Sequence, residues 1–174
     1  MKTIRNLLFF SLIGMLLASC GASSKAARSA EKEAERQAIV QALENCDFVL
    51  EITQIIPRGF PSRTSTGEYT LKLEGDVVTT RLPFFGTSHE AQYGSDEISI
   101  VFDKEKVQVT KDFSDAEKKG EYRYQFKGGK NGPWTVTLQV YDNGAANIGC
   151  SGPGGKYMSS FANVRIPDKN ENAQ

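Results

Sequence analysis

The sequence has few of the residues from which catalytic and metal sites are most often built. Its 174 residues include one histidine and three cysteines. The histidine, His89, lies in a polar stretch at residues 87–90, with no second histidine and no cysteine pair beside it to complete a zinc site. A Ser-His-Asp or Cys-His device would have only this one base. We therefore expect no metal, no cofactor and no catalytic residue, and we predict that the protein is not an enzyme.

An excess of either charge is also absent. Lysine and arginine total 21, aspartate and glutamate also total 21, and the basic residues form no block. Proteins that bind nucleic acid neutralise its phosphates with clustered lysine and arginine side chains. We therefore expect no nucleic-acid partner.

A long hydrophobic run is missing too, and the short run that is present ends in a specific pattern. Residues 7–19 are fewer than the ~20 that a helix needs to cross a bilayer. The run follows Lys2 and Arg5 and ends in Leu17-Ala18-Ser19-Cys20. A positive start, a short apolar core and small residues before the cleavage point are typical of an export signal. The alternative, a buried or transmembrane helix that ends in a cysteine by chance, fits this length poorly.

We predict that residues 1–19 are a lipoprotein signal peptide. In this interpretation the signal peptidase recognises Leu17, Ala18 and Ser19, and Cys20 carries the lipid and becomes the mature N-terminus. Acyl chains stabilise membrane binding by about 0.8 kcal/mol per buried CH2. Gly21 in place of an acidic residue favours passage to the outer membrane, and no acidic cluster follows Cys20, which favours a domain that faces the periplasm.

With Cys20 acylated, two thiols remain, Cys46 and Cys150. Disulfides persist in exported proteins. Closing so long a loop would stabilise the fold by roughly 4 kcal/mol, provided that the two Cα atoms come within ~7 Å of each other. Two buried free thiols are the alternative, and the sequence leaves both open.

Residues 20–45 are predicted to hold the anchor and a spacer. Residues 21–25 are small and polar, as in a flexible lead, whereas residues 26–45 are rich in strong helix formers and contain no glycine or proline. Ile39, Leu43 and Cys46 recur at helical spacing. We therefore expect one helix whose second half docks on the following domain and whose first half spaces that domain from the membrane.

From residue 46 to residue 167 the apolar residues recur with a period of two, and turn residues interrupt them at short intervals. Parallel strands would need connections of a dozen residues or more. We predict an all-β domain, an antiparallel meander that closes into a lipocalin-like β-barrel, with a β-sandwich as the alternative. Residues 168–174 are predicted to be a polar tail.

Three short segments predict hairpin turns. Gly75-Asp76 and Asn143-Gly144 have the composition of tight two-residue turns. Asp103-Lys104-Glu105 is interpreted as the turn of a third hairpin, between residues 98–102 and residues 107–109.

One stretch breaks the alternation. Leu82-Pro83-Phe84-Phe85-Gly86 ends a strand at a proline and places two adjacent aromatic residues at the start of a loop that runs through Tyr93. Neighbouring residues of an extended chain point to opposite sides. Phe84, Phe85 and Tyr93 are therefore candidates for a lid or rim at the mouth of the barrel. The alternative is that one phenylalanine closes the end of the core and the other covers a neighbouring loop.

This stretch also carries a family resemblance. Together with Ala91-Gln92-Tyr93-Gly94, Ile98-Ser99-Ile100 and Asn143-Gly144-Ala145-Ala146, it resembles the spaced pattern of the Bacteroidota lipoproteins grouped as domain of unknown function 4251. The likeness runs from about Asp47 to Val164. It implies a lipobox, a helical lead and a β-barrel of lipocalin-like build, and it implies no activity and no catalytic residue.

The favoured function is a membrane-tethered binding module whose barrel holds a small apolar or amphipathic ligand. A barrel filled by its own side chains would count against it, in particular by Tyr69, Leu71, Tyr122, Tyr124 and Phe126. A second hypothesis is an envelope protein that contacts a protein partner through exposed aromatic residues, for which the candidates are Phe84, Trp134 and Tyr141. The third and least favoured is a hydrolase of glycans or lipids, which requires a pair of carboxylates in one cleft.

Overall fold

The computed structural model describes residues 20–65, 69–84 and 99–167, with side chains described from residue 27 onward. The chain divides into two compact units, residues 1–36 and residues 37–174. The signal residues Leu17, Ala18 and Ser19 and the side chain of Cys20 lie outside the described parts, so lipidation stays a prediction. Where the chain is described, no helix combines the length and the apolar character needed to cross a bilayer.

The elements of the described residues follow one another in a simple order, a long helix and then mostly strands. They are α1 (Cys20–Asn45), β1 (Asp47–Pro57), β2 (Arg63–Thr64), β3 (Thr70–Glu74), β4 (Val77–Pro83), β5 (Ser99–Lys106), β6 (Thr110–Asp112), α2 (Ala116–Lys119), β7 (Glu121–Gly128), β8 (Trp134–Tyr141), β9 (Ala145–Ser151), a 3-10 turn (Pro153–Gly155) and β10 (Tyr157–Arg165).

The helix α1 begins at Cys20, so residues 21–25 are helical where a flexible lead was predicted. Once a helix has nucleated, each further residue adds a hydrogen bond at little cost, and alanine and serine tolerate helical geometry. In the first unit, Arg36 and Glu33 form an ion pair at the i, i+3 spacing, with 2.9 Å between Nη2 and Oε1. Local helix chemistry therefore stabilises this part of α1.

The end of α1, within the second unit, is buried against the strands. Ile39 and Leu43 are 6% and 0% exposed and belong to the hydrophobic core. The hydroxyl of Tyr124 donates a hydrogen bond of 2.7 Å to the carbonyl of Leu43. This bond satisfies one of the carbonyl groups that a helix end leaves without a helical partner. Cys46 then adopts a positive φ of 54° and turns the chain into β1.

The strands form one antiparallel sheet of ten strands, in the order β5-β4-β3-β1-β10-β9-β8-β7-β6, with β2 paired to β1. The first strand, β1, pairs with the last, β10. This is the cyclic order of an up-and-down meander, opened at one point. The predicted all-β, antiparallel fold with one preceding helix is confirmed, and the sheet curls into a half-barrel.

The seam of the half-barrel lies between β5 and β6, the two edge strands. Because only residues 107–109 separate them in sequence, the sheet must curl until its edges are neighbours. The loop after β7 bonds to β5 at this seam: Lys130 N donates to Val101 O at 2.9 Å, and Gly129 N donates to the Glu105 carboxylate at 3.1 Å. These bonds join the two edges where the described residues of β5 and β6 form no ladder.

The hairpin predicted at Asp103-Lys104-Glu105 is not formed. The strand β5 runs through these residues, and its register against β4 shifts at this point. Lys104 has a positive φ of 48°, so the chain accommodates an extra residue as a β-bulge. The hairpins predicted at Gly75-Asp76 and Asn143-Gly144 are confirmed, as β3–β4 and β8–β9.

The two remaining thiols are free in the structure, and both are buried. Cys46 immediately precedes β1, whereas Cys150 pairs with Met158, which pairs with Pro57 at the other end of β1. The 11 residues of β1 span roughly 35 Å along the strand, and a disulfide allows only ~7 Å between Cα atoms. Burial raises the pKa of the Cys150 thiol to about 12. The structure therefore shows two buried free thiols and no disulfide between Cys46 and Cys150.

Candidate functional site

The inner face of the sheet is filled by its own side chains. Leu71, Tyr122, Tyr124 and Phe126 are at most 4% exposed, and the half-buried Tyr69 packs against the same core. A ligand inside the half-barrel would have to displace these side chains. Among the described residues, a binding site is therefore expected on the outer face of the sheet.

Phe84 does not line an open rim. It is 8% exposed, and its ring lies 5.5 Å from the ring of Trp134, which is 2% exposed. Phe84 thus closes the end of the core, the alternative considered for this stretch. Neither ring can belong to an exposed interaction patch, and Tyr141, the third candidate for that patch, is half-buried.

Three residues singled out in the sequence, Phe85, Tyr93 and His89, lie outside the described residues. Their roles stay predictions. Within the described ranges, no group of three histidine, cysteine, aspartate or glutamate side chains is arranged to hold a metal ion.

A groove of about 540 Å3 lies on the outer face, across β10, β1, β3, β4 and β5. Val49 and Val101 line it, and both are buried although neither belongs to the interior core. The strand registers place Val49 between Lys72 and Arg165, and Val101 opposite Arg81. The groove thus has an apolar floor flanked by three long cationic side chains.

The charges in the groove differ in how far they are already neutralised. Lys72 pairs with Glu74 at 2.9 Å, and Arg165 pairs with Glu51 at 2.8 Å. Arg81, in contrast, is exposed and forms no ion pair with any described residue.

The one acidic residue that lines the groove, Asp103, is bound to Lys130, with 2.7 Å between Oδ2 and Nζ. The hydrogen bond from Lys130 lowers the pKa of Asp103, so this carboxylate stays ionised and paired. Arg81 is therefore the cation best placed to receive an anionic group from outside.

Three carboxylates converge on Arg123 elsewhere on the outer face. Glu121 lies 2.5 Å from Nε of Arg123, and Asp112 and Asp115 lie 3.7 and 3.6 Å from its terminal nitrogens. The hydrogen bond with Glu121 raises the pKa of Arg123, whereas hydrogen bonds with Ser114 lower the pKa of Asp112. Because all three carboxylates lie against one arginine, this cluster has the character of an ion-pair network.

The residues of the groove were missed in the sequence, although two of them left a signal there. Phe48-Val49-Leu50 and Ile100-Val101-Phe102 are each apolar at three consecutive positions. A strand with only one covered face alternates, so such a run marks a strand that is covered on both faces. The three basic residues gave no comparable signal, because their convergence depends on pairing between distant strands.

Comparisons with known proteins agree with this fold. A family model described as Domain of unknown function (DUF4251) matches residues 30–153. The chain is similar to a crystal structure of a DUF4251 family protein from Bacteroides eggerthii, with 16% sequence identity, a TM-score of 0.53, and coverage of 76% of this chain and 88% of that chain. A search of curated proteins finds no match. Because the family model spans most of its length, this chain belongs to the DUF4251 family.

Proposed function

We propose that this protein is a non-enzymatic binding protein of the bacterial envelope that binds a small amphipathic anion in the outer groove. A lipid on Cys20 anchors it to the outer membrane, and its domain faces the periplasm. The observation that carries the proposal is the composition of the groove, in which the apolar floor of Val49 and Val101 is flanked by basic side chains. The proposed ligand is amphipathic, as expected from the sequence, but the proposed site lies on the outer face of the sheet instead of inside the barrel.

Each part of such a ligand has a matching feature in the groove. A hydrocarbon segment that covers the two valines removes apolar surface from water, which stabilises binding by about 25 cal/mol per Å2. A carboxylate or sulfate gains a charge-assisted hydrogen bond from Arg81, which forms no ion pair with a described residue, although the charge of Asp103 acts on it from a greater distance. A neutral molecule of the same shape would gain only the first of these contributions.

The test is a titration of the full chain with octanoate and with octanamide, its neutral counterpart. A hydrogen bond to a charged group contributes about 1.5–3 kcal/mol, and about 1.4 kcal/mol corresponds to a tenfold change in affinity. We therefore expect Arg81→Gln to weaken octanoate binding at least tenfold and to leave octanamide binding unchanged. Isothermal titration calorimetry measures both affinities.

Lys111→Gln is the matched control. It removes one positive charge from an exposed residue of β6 that does not line the groove, so octanoate binding should change by less than about twofold. If the two variants lose octanoate affinity equally, the cause is the change in net charge and not a contact with Arg81. Octanoate that fails to bind the unchanged protein would overturn the proposal.

The anchor has a separate test. Cys20→Ser removes the thiol that accepts the lipid, so we expect no incorporation of an alkyne-labelled fatty acid and a chain that keeps residues 1–19. Labelling of growing cells followed by mass spectrometry measures both. Ser19→Ala, which keeps a small side chain before Cys20, should be labelled and cleaved normally. Label that enters the Cys20→Ser chain would contradict the lipoprotein assignment.

A further inference from the structure

A second region of the outer face, on β8, β9 and β10, combines exposed aromatic rings with uncharged polar groups. Tyr157 and Phe161 are 42% and 46% exposed, while Met158 and Ala162, next to them on β10, are buried. The alternation therefore places both rings on the outer side of the sheet. We call this region the neutral face; its residues are Thr137, Asn147, Gly149, Tyr157, Ser159 and Phe161.

Strand register brings the neutral face together from three strands. Asn147 of β9 lies opposite Phe161, and Gly149 lies opposite Ser159. Thr137 of β8 lies opposite Gly149. Hydroxyl and amide groups thus lie between and beside the two rings.

The side chain of Tyr157 extends toward Gly149 on the neighbouring strand β9. The phenolic oxygen of Tyr157 lies 3.9 Å from the place where a Cβ of Gly149 would be. Since Tyr157 pairs with Ser151, its side chain leans along β9 toward Gly149, two residues away. The exposed ring of Tyr157 can stack with a flat apolar surface of a ligand.

The polar groups of the neutral face carry no formal charge. Asn147 Nδ2 donates to Gln139 Oε1 at 3.5 Å, and Gln139 Nε2 donates to Glu121 Oε1 at 2.7 Å. The amide chain therefore ends on the carboxylate that is already paired with Arg123. What remains available are neutral donors and acceptors, which favour a neutral, hydroxyl-rich ligand.

We propose that the neutral face binds a linear, uncharged glycan. A pyranose ring has apolar C–H groups on its flat side and hydroxyls around its edge, which suit stacking on an aromatic ring and hydrogen bonding to amides and hydroxyls respectively. The two rings are four positions apart on one strand, about 13 Å. One sugar cannot contact both, so the ligand is a chain of several sugars.

A protein partner fits these features less well. Protein interfaces on a sheet face form around contiguous apolar patches, and here Ser159 stands between the two rings, with the half-buried Ile56 of β1 as its partner. A nucleic acid or an acidic peptide would require unpaired positive charge, which the six residues of the neutral face do not supply. The combination of separated aromatic rings and uncharged polar groups therefore favours a glycan.

The experiment is a calorimetric titration of the full chain with chitohexaose, cellohexaose and mannohexaose, three neutral hexasaccharides. We expect at least one of them to bind, and its disaccharide to bind at least tenfold more weakly. Phe161→Ala and Tyr157→Ala should each lower the affinity about three- to tenfold, the effect of removing one stacked ring. Both residues are exposed, so circular dichroism should show an unchanged fold.

Ile166→Ala is the control, because Ile166 is a 42% exposed apolar residue that follows the end of β10, five positions and roughly 16 Å beyond Phe161. It should leave glycan binding unchanged, and so should Arg81→Gln in the groove. The proposal is overturned if none of the three hexasaccharides binds, or if Ile166→Ala weakens binding as much as Phe161→Ala. A dimer that Phe161→Ala converts to a monomer in sedimentation would also overturn it, since the face would then belong to a second copy of the chain.

Discussion

Replacing Leu43 with alanine is expected to lower the free energy of unfolding by about 2–5 kcal/mol. Leu43 is fully buried in the core, so the shorter side chain removes apolar contacts and leaves a cavity between the end of α1 and the strands. A domain of this size has a total stability of about 5–15 kcal/mol. Guanidinium unfolding followed by the fluorescence of Trp134, the single tryptophan, measures the change.

Gln41→Ala is the control for this variant. Gln41 lies two residues earlier on the same helix and is exposed, and alanine is the strongest helix former. Its substitution should therefore change the stability by less than about 0.5 kcal/mol. If Leu43→Ala costs no more than Gln41→Ala, the end of α1 does not dock on the sheet as described here.

Replacing Gly152 with alanine is expected to destabilise the fold by about 1–3 kcal/mol, the usual cost of overfilling a packed site. The backbone of Gly152 is extended, with φ −121° and ψ 179°, so any residue can adopt it. The obstacle is the indole of Trp134, since a Cβ on Gly152 would lie 2.5 Å from its Cζ3 atom. The buried ring has little room to move away.

A double variant and a neighbouring glycine separate this contact from a general effect of glycine replacement. In a Trp134→Leu background the six-membered ring is absent, so Gly152→Ala should cost less than it does in the unchanged protein. Gly149→Ala places its Cβ no closer than 3.9 Å to any atom, and we expect it to change the stability by less than about 1 kcal/mol. Equal costs at the two glycines would contradict the assigned clash. Thermal unfolding and denaturant titration measure the cost of Gly152→Ala in each background and the cost of Gly149→Ala.

The parts of the fold that sequence reasoning predicted are those governed by local chemistry. Gly75-Asp76 and Asn143-Gly144 are confirmed as hairpin turns because their composition alone favours a tight turn. The alternation of apolar residues predicted the strands, and the short connections between them predicted antiparallel pairing. Both are local features of the sequence. Asp103-Lys104-Glu105 has the composition of a turn as well, but pairing with β4 and the bonds from Gly129 to Glu105 and from the Lys130 side chain to Asp103 hold it in β5.

The candidate sites were harder to predict because they depend on register. Alternation indicates that Lys72 and Arg81 face away from the interior, but only the ladders of β1 with β3 and of β4 with β5 place them in one groove with Val49. The same holds for Asn147 and Phe161, which lie on separate strands and meet through the pairing of β9 with β10. A shift of one residue in either strand would turn these side chains to the other face.

The pairing of β1 with β10 also bears on how the chain matures. These are the first and the last of the described strands, so the ladder at the middle of the sheet joins the two ends of the domain and forms only after the whole chain has been synthesised. Hairpins such as β3–β4 need no distant partner and can form earlier. A chain cut short before Tyr157 would leave β1 and β9 with unpaired edges that attract other strands. Pairing of β10 is therefore the folding step that removes these exposed strand edges and, with them, the tendency to aggregate.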